Sequence, residues 1–137
     1  KEKIKRYAKN YLKEFNEISG YNQSIYFHKY NEWVNCGAYL TLDGIRSNNE
    51  FFNGYISLDV GWQLSEVYIL IYAHSLRKGN LVDFELVVNY LESIDIKVLN
   101  KKTYLDDDYI QIFKATSKCT PQRLSNEFKK ILEKIQE

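Results

Sequence analysis

The chain has 137 residues, 45% of them hydrophobic and 27% charged, with a formal net charge of +1. That length suits one domain, residues 1–137, able to bury a core without disulfide or metal staples. The near-neutral balance excludes a bulk electrostatic drive toward nucleic acid or anionic membrane, and no apolar run is long enough to span a bilayer.

The N-terminus, Lys1-Glu2-Lys3-Ile4, lacks the apolar stretch of a signal peptide. There is no Met anywhere, so residues are expected to precede Lys1. The first predicted element is a helix. Ile4, Tyr7, Ala8, Tyr11, Leu12 and Phe15 recur at three- and four-residue steps, which makes one apolar stripe. Ser19-Gly20 is its stop, because Gly tolerates the left-handed cap.

Four strands are predicted next, over 24–33, 36–45, 51–61 and 66–76. They are rich in β-branched and aromatic residues and are bounded by Asn, Gly, Asp and Ser. Gly61-Trp62-Gln63 reads as a tight connection. Short links of this kind favour antiparallel pairing. A second helix is predicted over 81–93, capped by Asn80 with Asp83 three residues on. Phe84, Val87, Val88 and Leu91 form its stripe.

An extended stretch then runs from Lys97 through Leu105. Asp106-Asp107-Asp108 reads as a hairpin turn, and the strand returns through Tyr109–Lys114. In the last helix Thr120 is the N-cap and Pro121 takes the first helical position, where its missing N–H costs nothing. Leu124, Phe128, Ile131, Leu132 and Ile135 share one face.

The expected fold is therefore α+β, in the order α-ββββ-α-ββ-α. It has an antiparallel sheet of five to six strands with three helices mainly on one face.

Little in the chain points to catalysis. His28 and His74 stand alone in their strands, whereas a zinc site needs several ligands in close motifs. The Asp106–Asp108 run lacks the alternation of a calcium loop. Cys36 and Cys119 sit in no activating motif and read as reduced, buried thiols, which points weakly to the cytoplasm. The six Gly form no phosphate cradle, so no cofactor is expected. Asp59 followed by Glu66-Val67-Tyr68 has the spacing of a metal-dependent nuclease centre but lacks its Lys. Scattered acids such as Asp43, Asp59 and Glu66 leave an enzyme or nuclease accessory domain as the alternative function.

The aromatic load is the positive signal: twelve Tyr, seven Phe and two Trp. Strand alternation sends neighbours to opposite faces. Ala38, Leu40 and Leu42, Ile56, Leu58 and Val60, and Val67, Ile69, Ile71 and Ala73 make an aliphatic face for the helices. Tyr39, Tyr55, Tyr68 and Tyr72, with Trp62, are the candidate binding residues. Tyr suits a surface with one apolar and one wet side, and it is enriched at interfaces. Exposed sheet aromatics also stack bases in RNA-binding platforms. Here no matching motif occurs, and the positive charge lies on the first helix instead, so nucleic-acid binding is a third option.

The segment Lys102-Thr103-Tyr104-Leu105-Asp106-Asp107-Asp108-Tyr109-Ile110-Gln111-Ile112-Phe113 resembles the acidic-turn hairpin of type III secretion chaperones and their relatives. Thr120-Pro121-Gln122-Arg123-Leu124 resembles the start of their final helix. The element order is also similar across most of the chain, although this chain is near neutral and has one more early strand. The resemblance implies a homodimeric, non-enzymatic module that holds another polypeptide. The leading expectation is a cytoplasmic protein-binding module of adaptor, chaperone-like or immunity type, using the Tyr face or a sheet edge.

Overall fold

An apolar stripe closing every three to four residues makes α1, Glu2–Ser19, in the computed structural model, which describes residues 2–27, 37–46, 55–72, 84–104 and 107–136. Ala8, Tyr11, Leu12 and Phe15 are buried along it. Tyr7, expected on the same stripe, is 56% exposed and lays its ring 5.0 Å from that of Trp62. The helix stops where Gly20 turns to φ +81 and donates its N–H to the Asn16 carbonyl at 2.8 Å. Gly adopts that left-handed conformation without steric cost.

Six strands follow in one antiparallel sheet: β1 (Tyr26–Phe27), β2 (Gly37–Arg46), β3 (Tyr55–Gln63), β4 (Val67–Tyr72), β5 (Asn100–Tyr104) and β6 (Asp107–Ala115). Their order across the sheet is β1-β2-β3-β4-β6-β5. Helix α2 (Phe84–Ser93) lies between β4 and β5 in sequence, and α3 (Pro121–Gln136) closes the chain. The order is α-ββββ-α-ββ-α, as expected. His28, Cys36, His74, Asn80, Asp83 and the predicted strand residues 28–33, 51–54 and 73–76 lie outside the described residues. No described helix is long and apolar enough to cross a membrane.

The helices share one side of the sheet. Ala38, Leu40, Leu58, Val60, Val67, Ile69 and Ile71 are fully buried there. They join Leu12 and Phe15 of α1, Leu91 of α2, and Leu124 and Phe128 of α3 in one hydrophobic cluster. Phe128 is its hub, edge-on to Phe15 at 5.8 Å and to Tyr21 at 5.5 Å. Burying side chains of this size contributes roughly 1.5–3 kcal/mol each.

Caps behave as their residues dictate. The Arg123 N–H donates to the Thr120 hydroxyl at 3.2 Å, the expected N-cap bond of α3. Lys134 near its other end donates to the Asp95 carbonyl at 2.8 Å and so ties α3 to the end of α2. The Tyr11 hydroxyl donates to the carbonyl of the buried Cys119 at 2.7 Å, fixing α1 to the start of α3.

Three expectations need correction. Strand β3 runs through Gly61-Trp62-Gln63, and the turn is Leu64-Ser65. It is closed by Gln63 N–H to Glu66 O at 2.9 Å and Glu66 N–H to Gln63 O at 3.2 Å. Asp107 and Asp108 belong to β6, where Asp107 pairs with Tyr104 and Asp108 with Thr103. Trp62, expected among the outward residues, faces the helices. It shares strand parity with Leu58 and Val60, is 5% exposed, and donates its indole N–H to the Ser117 carbonyl at 3.1 Å.

Candidate functional site

The face of the sheet turned away from the helices is built in rows by the strand register. In one row Tyr26 pairs with Tyr39, Tyr39 with Gly61, Gly61 with Tyr68, and Tyr68 with Lys114. In the next, Thr41 pairs with Asp59, Asp59 with Leu70, Leu70 with Gln111, and Gln111 with Asn100.

Gly61 is the joint of the aromatic row. A Cβ there would meet Oη and Cζ of Tyr68 at 2.3 Å, so the phenol ring lies directly over the glycine. Gly within a strand serves this close approach rather than a turn. Tyr68 is consequently 4% exposed. Its phenol is pushed up, first by burial and then by Asp59, Tyr39, Glu66 and Tyr109. At the sheet's edge Tyr26 remains 54% exposed, with its ring 5.8 Å from that of the half-buried Tyr39.

The polar row has its own logic. Thr41-Leu42-Asp43 on β2 and Ser57-Leu58-Asp59 on β3 are the same pattern, hydroxyl-leucine-carboxylate. Antiparallel pairing of Leu42 with Leu58 crosses them. The Thr41 hydroxyl donates to Asp59 at 2.7 Å, and the Ser57 hydroxyl donates to Asp43. Asp43 falls opposite Ser57 in the register that pairs Leu42 with Leu58, and a β-bulge adds the extra residue before Ile45. Sequence reasoning noted Asp43 and Asp59 but missed that repeated triplet, which was the available signal.

Asp59 is 7% exposed. Burial pushes its carboxyl up to about 6, and the neighbouring Asp43 charge adds to this. The Thr41 hydroxyl opposes both by stabilising the charged form. Glu66 stands apart. It accepts from Gln63 at 3.4 Å and from Gln111 at 3.3 Å, at the hairpin end of the face. The structure thus brings Asp43 and Asp59 together and leaves Glu66 elsewhere. Among the described residues no group of three or more His, Cys, Asp or Glu could hold a metal ion.

Of the five predicted binding residues, Tyr39 and Tyr68 therefore share a row, while Trp62 faces the opposite side. Tyr55 pairs with Arg46 and Tyr72 with Tyr109 in the backbone register. Tyr26, not predicted, is the most exposed aromatic of the row. No protein-family model matches this chain, nor does any curated protein or solved structure.

Proposed function

We propose that this chain is a non-catalytic, cytoplasmic protein-binding module of adaptor, chaperone-like or immunity type. It docks another polypeptide, or a second copy of itself, on the outer face of the sheet at its β1–β2 end. The observation that carries the reading is the tilted Tyr26–Tyr39 ring pair. One ring is exposed and its neighbour half-buried, beside a face whose centre is already shielded. An amphipathic ring on a rigid strand loses little entropy on binding, and such residues anchor interfaces. The element order, similar to that of type III secretion chaperones, supports the same class of function. The free, buried thiol of Cys119 is consistent with a reducing compartment.

A photocrosslinker at Tyr26 should capture one defined partner or a second copy, and light scattering should report the complex. A monomer that captures nothing at that position would overturn the reading. The paired Asp43 and Asp59 favour a second reading, an acid-centred enzyme or nuclease accessory domain. If magnesium or manganese raises Tm and Asp59→Asn abolishes the rise, that second reading wins.

A further inference from the structure

Helix α1 crosses the inner side of the sheet beside the β1 edge. Phe27 pairs with Ala38, and Ala38 with Trp62. The first turns of α1 lie over this row. The Lys5 ammonium stands 5.9 Å from the centre of the Phe27 ring, and the Tyr7 ring lies against Trp62. A cation at that distance is attracted by the ring face. Lys5 therefore marks the flank of α1 nearest β1, beside the exposed Tyr26.

Lys9 and Lys13 continue that flank, one and two turns on, and both are exposed. Positions four apart rise about 6 Å along a helix, so the three lysines form a stripe of about 12 Å. Lys3 and Arg6 are exposed beside it. Glu2 precedes the stripe and Glu17 follows it, while Glu14 falls on the Tyr7 flank. The positive run is bounded at both ends.

This pattern works against the helix that carries it. Like charges four residues apart repel. Lys3 and Lys5 sit in the first turn, where the helix dipole disfavours cations, and the last turn holds no basic residue. Helix α3 is built the other way. Lys134 occupies its last turn and pairs with Asp95 at 3.6 Å, and Lys130 pairs with Glu127 at 3.7 Å. Among the described residues no ion pair offsets the charges of α1. A local rule broken without compensation inside the chain points to a use outside it.

Resting on the docking function above, we propose that the partner carries an acidic segment that rounds the β1 edge from Tyr26 and lies along Lys5, Lys9 and Lys13. Side chains on one face of an extended chain recur about every 6.6 Å, close to the lysine spacing. Carboxylates at alternate positions therefore match the stripe. A polypeptide fits better than a nucleic acid. It can place carboxylates opposite the lysines alone, whereas a phosphate backbone is charged at every unit and would run on into Glu2 or Glu17. The aromatic pair supplies affinity, and the stripe selects the sign of charge.

The probe is a synthetic peptide alternating glutamate and threonine, titrated into the full chain at low salt and followed by amide chemical shifts. Shifts should move over residues 5–13, and binding should weaken as salt rises. Lys9→Glu with Lys13→Glu changes two exposed positions and should leave the fold's spectrum intact. It should weaken binding about tenfold or more and make a lysine–threonine peptide the better ligand. A peptide that leaves α1 unmoved, or equal binding of the two peptides by the unaltered chain, would overturn the proposal. So would an oligothymidylate that binds the same lysines more tightly than the glutamate peptide of equal charge, which would make the ligand a nucleic acid. The Tyr26 crosslinker separates this proposal from the docking reading. If the double variant captures a partner as well as the unaltered chain does, docking stands and the acidic segment is wrong. No capture by either protein overturns the docking reading as well.

Discussion

The two faces of this sheet are both buried at their centres, but their chemistry differs. The helix side excludes water with Leu40, Leu58, Ile69 and Ile71 against Phe15 and Phe128. The outer side carries Ser57, Asp59, Tyr68 and Gln111, all at most 7% exposed, and meets their polar demands with crossed hydroxyl–carboxylate pairs. Apolar burial is strong but non-directional, so it tolerates swaps that keep volume. Hydrogen-bonded pairs are directional. A slip of β3 along β2 by two residues keeps every side chain on its face, yet it breaks both crossed pairs at once. The inner face therefore supplies most of the stability, while the outer face specifies register.

The sharpest way to break this contrast is at the hub of the helix side. Phe128→Ala should cost about 3–5 kcal/mol, because the cavity opens between Phe15 and Tyr21. Urea unfolding reads this directly. A loss below about 1 kcal/mol would mean that the helix layer does not carry the stability assigned to it.

The next largest effect has the opposite sign. Because burial raises the folded-state pKa of Asp59 to about 6, the fold favours its neutral form. The folded state then binds more protons than the unfolded chain between the ordinary aspartate value and about pH 6. Stability from this group is greatest below that window and falls as pH rises through it, by roughly 2–3 kcal/mol in total. Asp59→Asn keeps an acceptor for Thr41 and removes the charge. It should flatten the slope between about pH 4 and 6 and raise stability at neutral pH by up to that amount. Parallel pH–stability curves for the two proteins would show that Asp59 carries no desolvation penalty.

The helix side was legible because helical and strand periods are local. The stripe of α3, the Thr120-Pro121 start and the alternation of Leu40, Leu58 and Ile69 follow from spacing alone. Alternation also assigned Asp59 to the outer face. It could not show that this face is shielded, since parity gives direction and says nothing of cover. Gly61 was misread because turns and close ring approach both call for glycine, and only the pairing with Tyr68 tells them apart. That error displaced the turn and put Trp62 on the wrong side. Bulges are equally silent. The register shift on β6 lets both Ile112 and Phe113 pack on the core side, against strict alternation.

A smaller perturbation tests the joint of the aromatic row. Gly61→Ala places a methyl against the buried ring of Tyr68, which has to shift. The expected loss is about 1–2 kcal/mol, within the usual range for overpacking. In a Tyr68→Ala background the same substitution should cost much less, so a double-mutant cycle should return a coupling of about 1 kcal/mol. Additive losses would place the cause in the glycine backbone rather than in the ring above it.

The smallest expected change in stability is the most informative about function. Tyr26 is 54% exposed and pairs with the sheet only through the two-residue β1. Tyr26→Ser should therefore alter stability by no more than about 0.5 kcal/mol in urea unfolding. Its ring lies 5.8 Å from Tyr39, so what is removed is half of an aromatic pair that supports little in the free chain. Partner capture should nonetheless fall by at least about tenfold, since truncating an anchoring aromatic at an interface typically costs more than 1 kcal/mol of binding. Exposure is what separates these two numbers: a ring that the fold barely uses, kept at a sheet edge, contributes through what it touches next. A variant that unfolds readily would make Tyr26 a structural residue, and one that binds normally would move the interface away from β1.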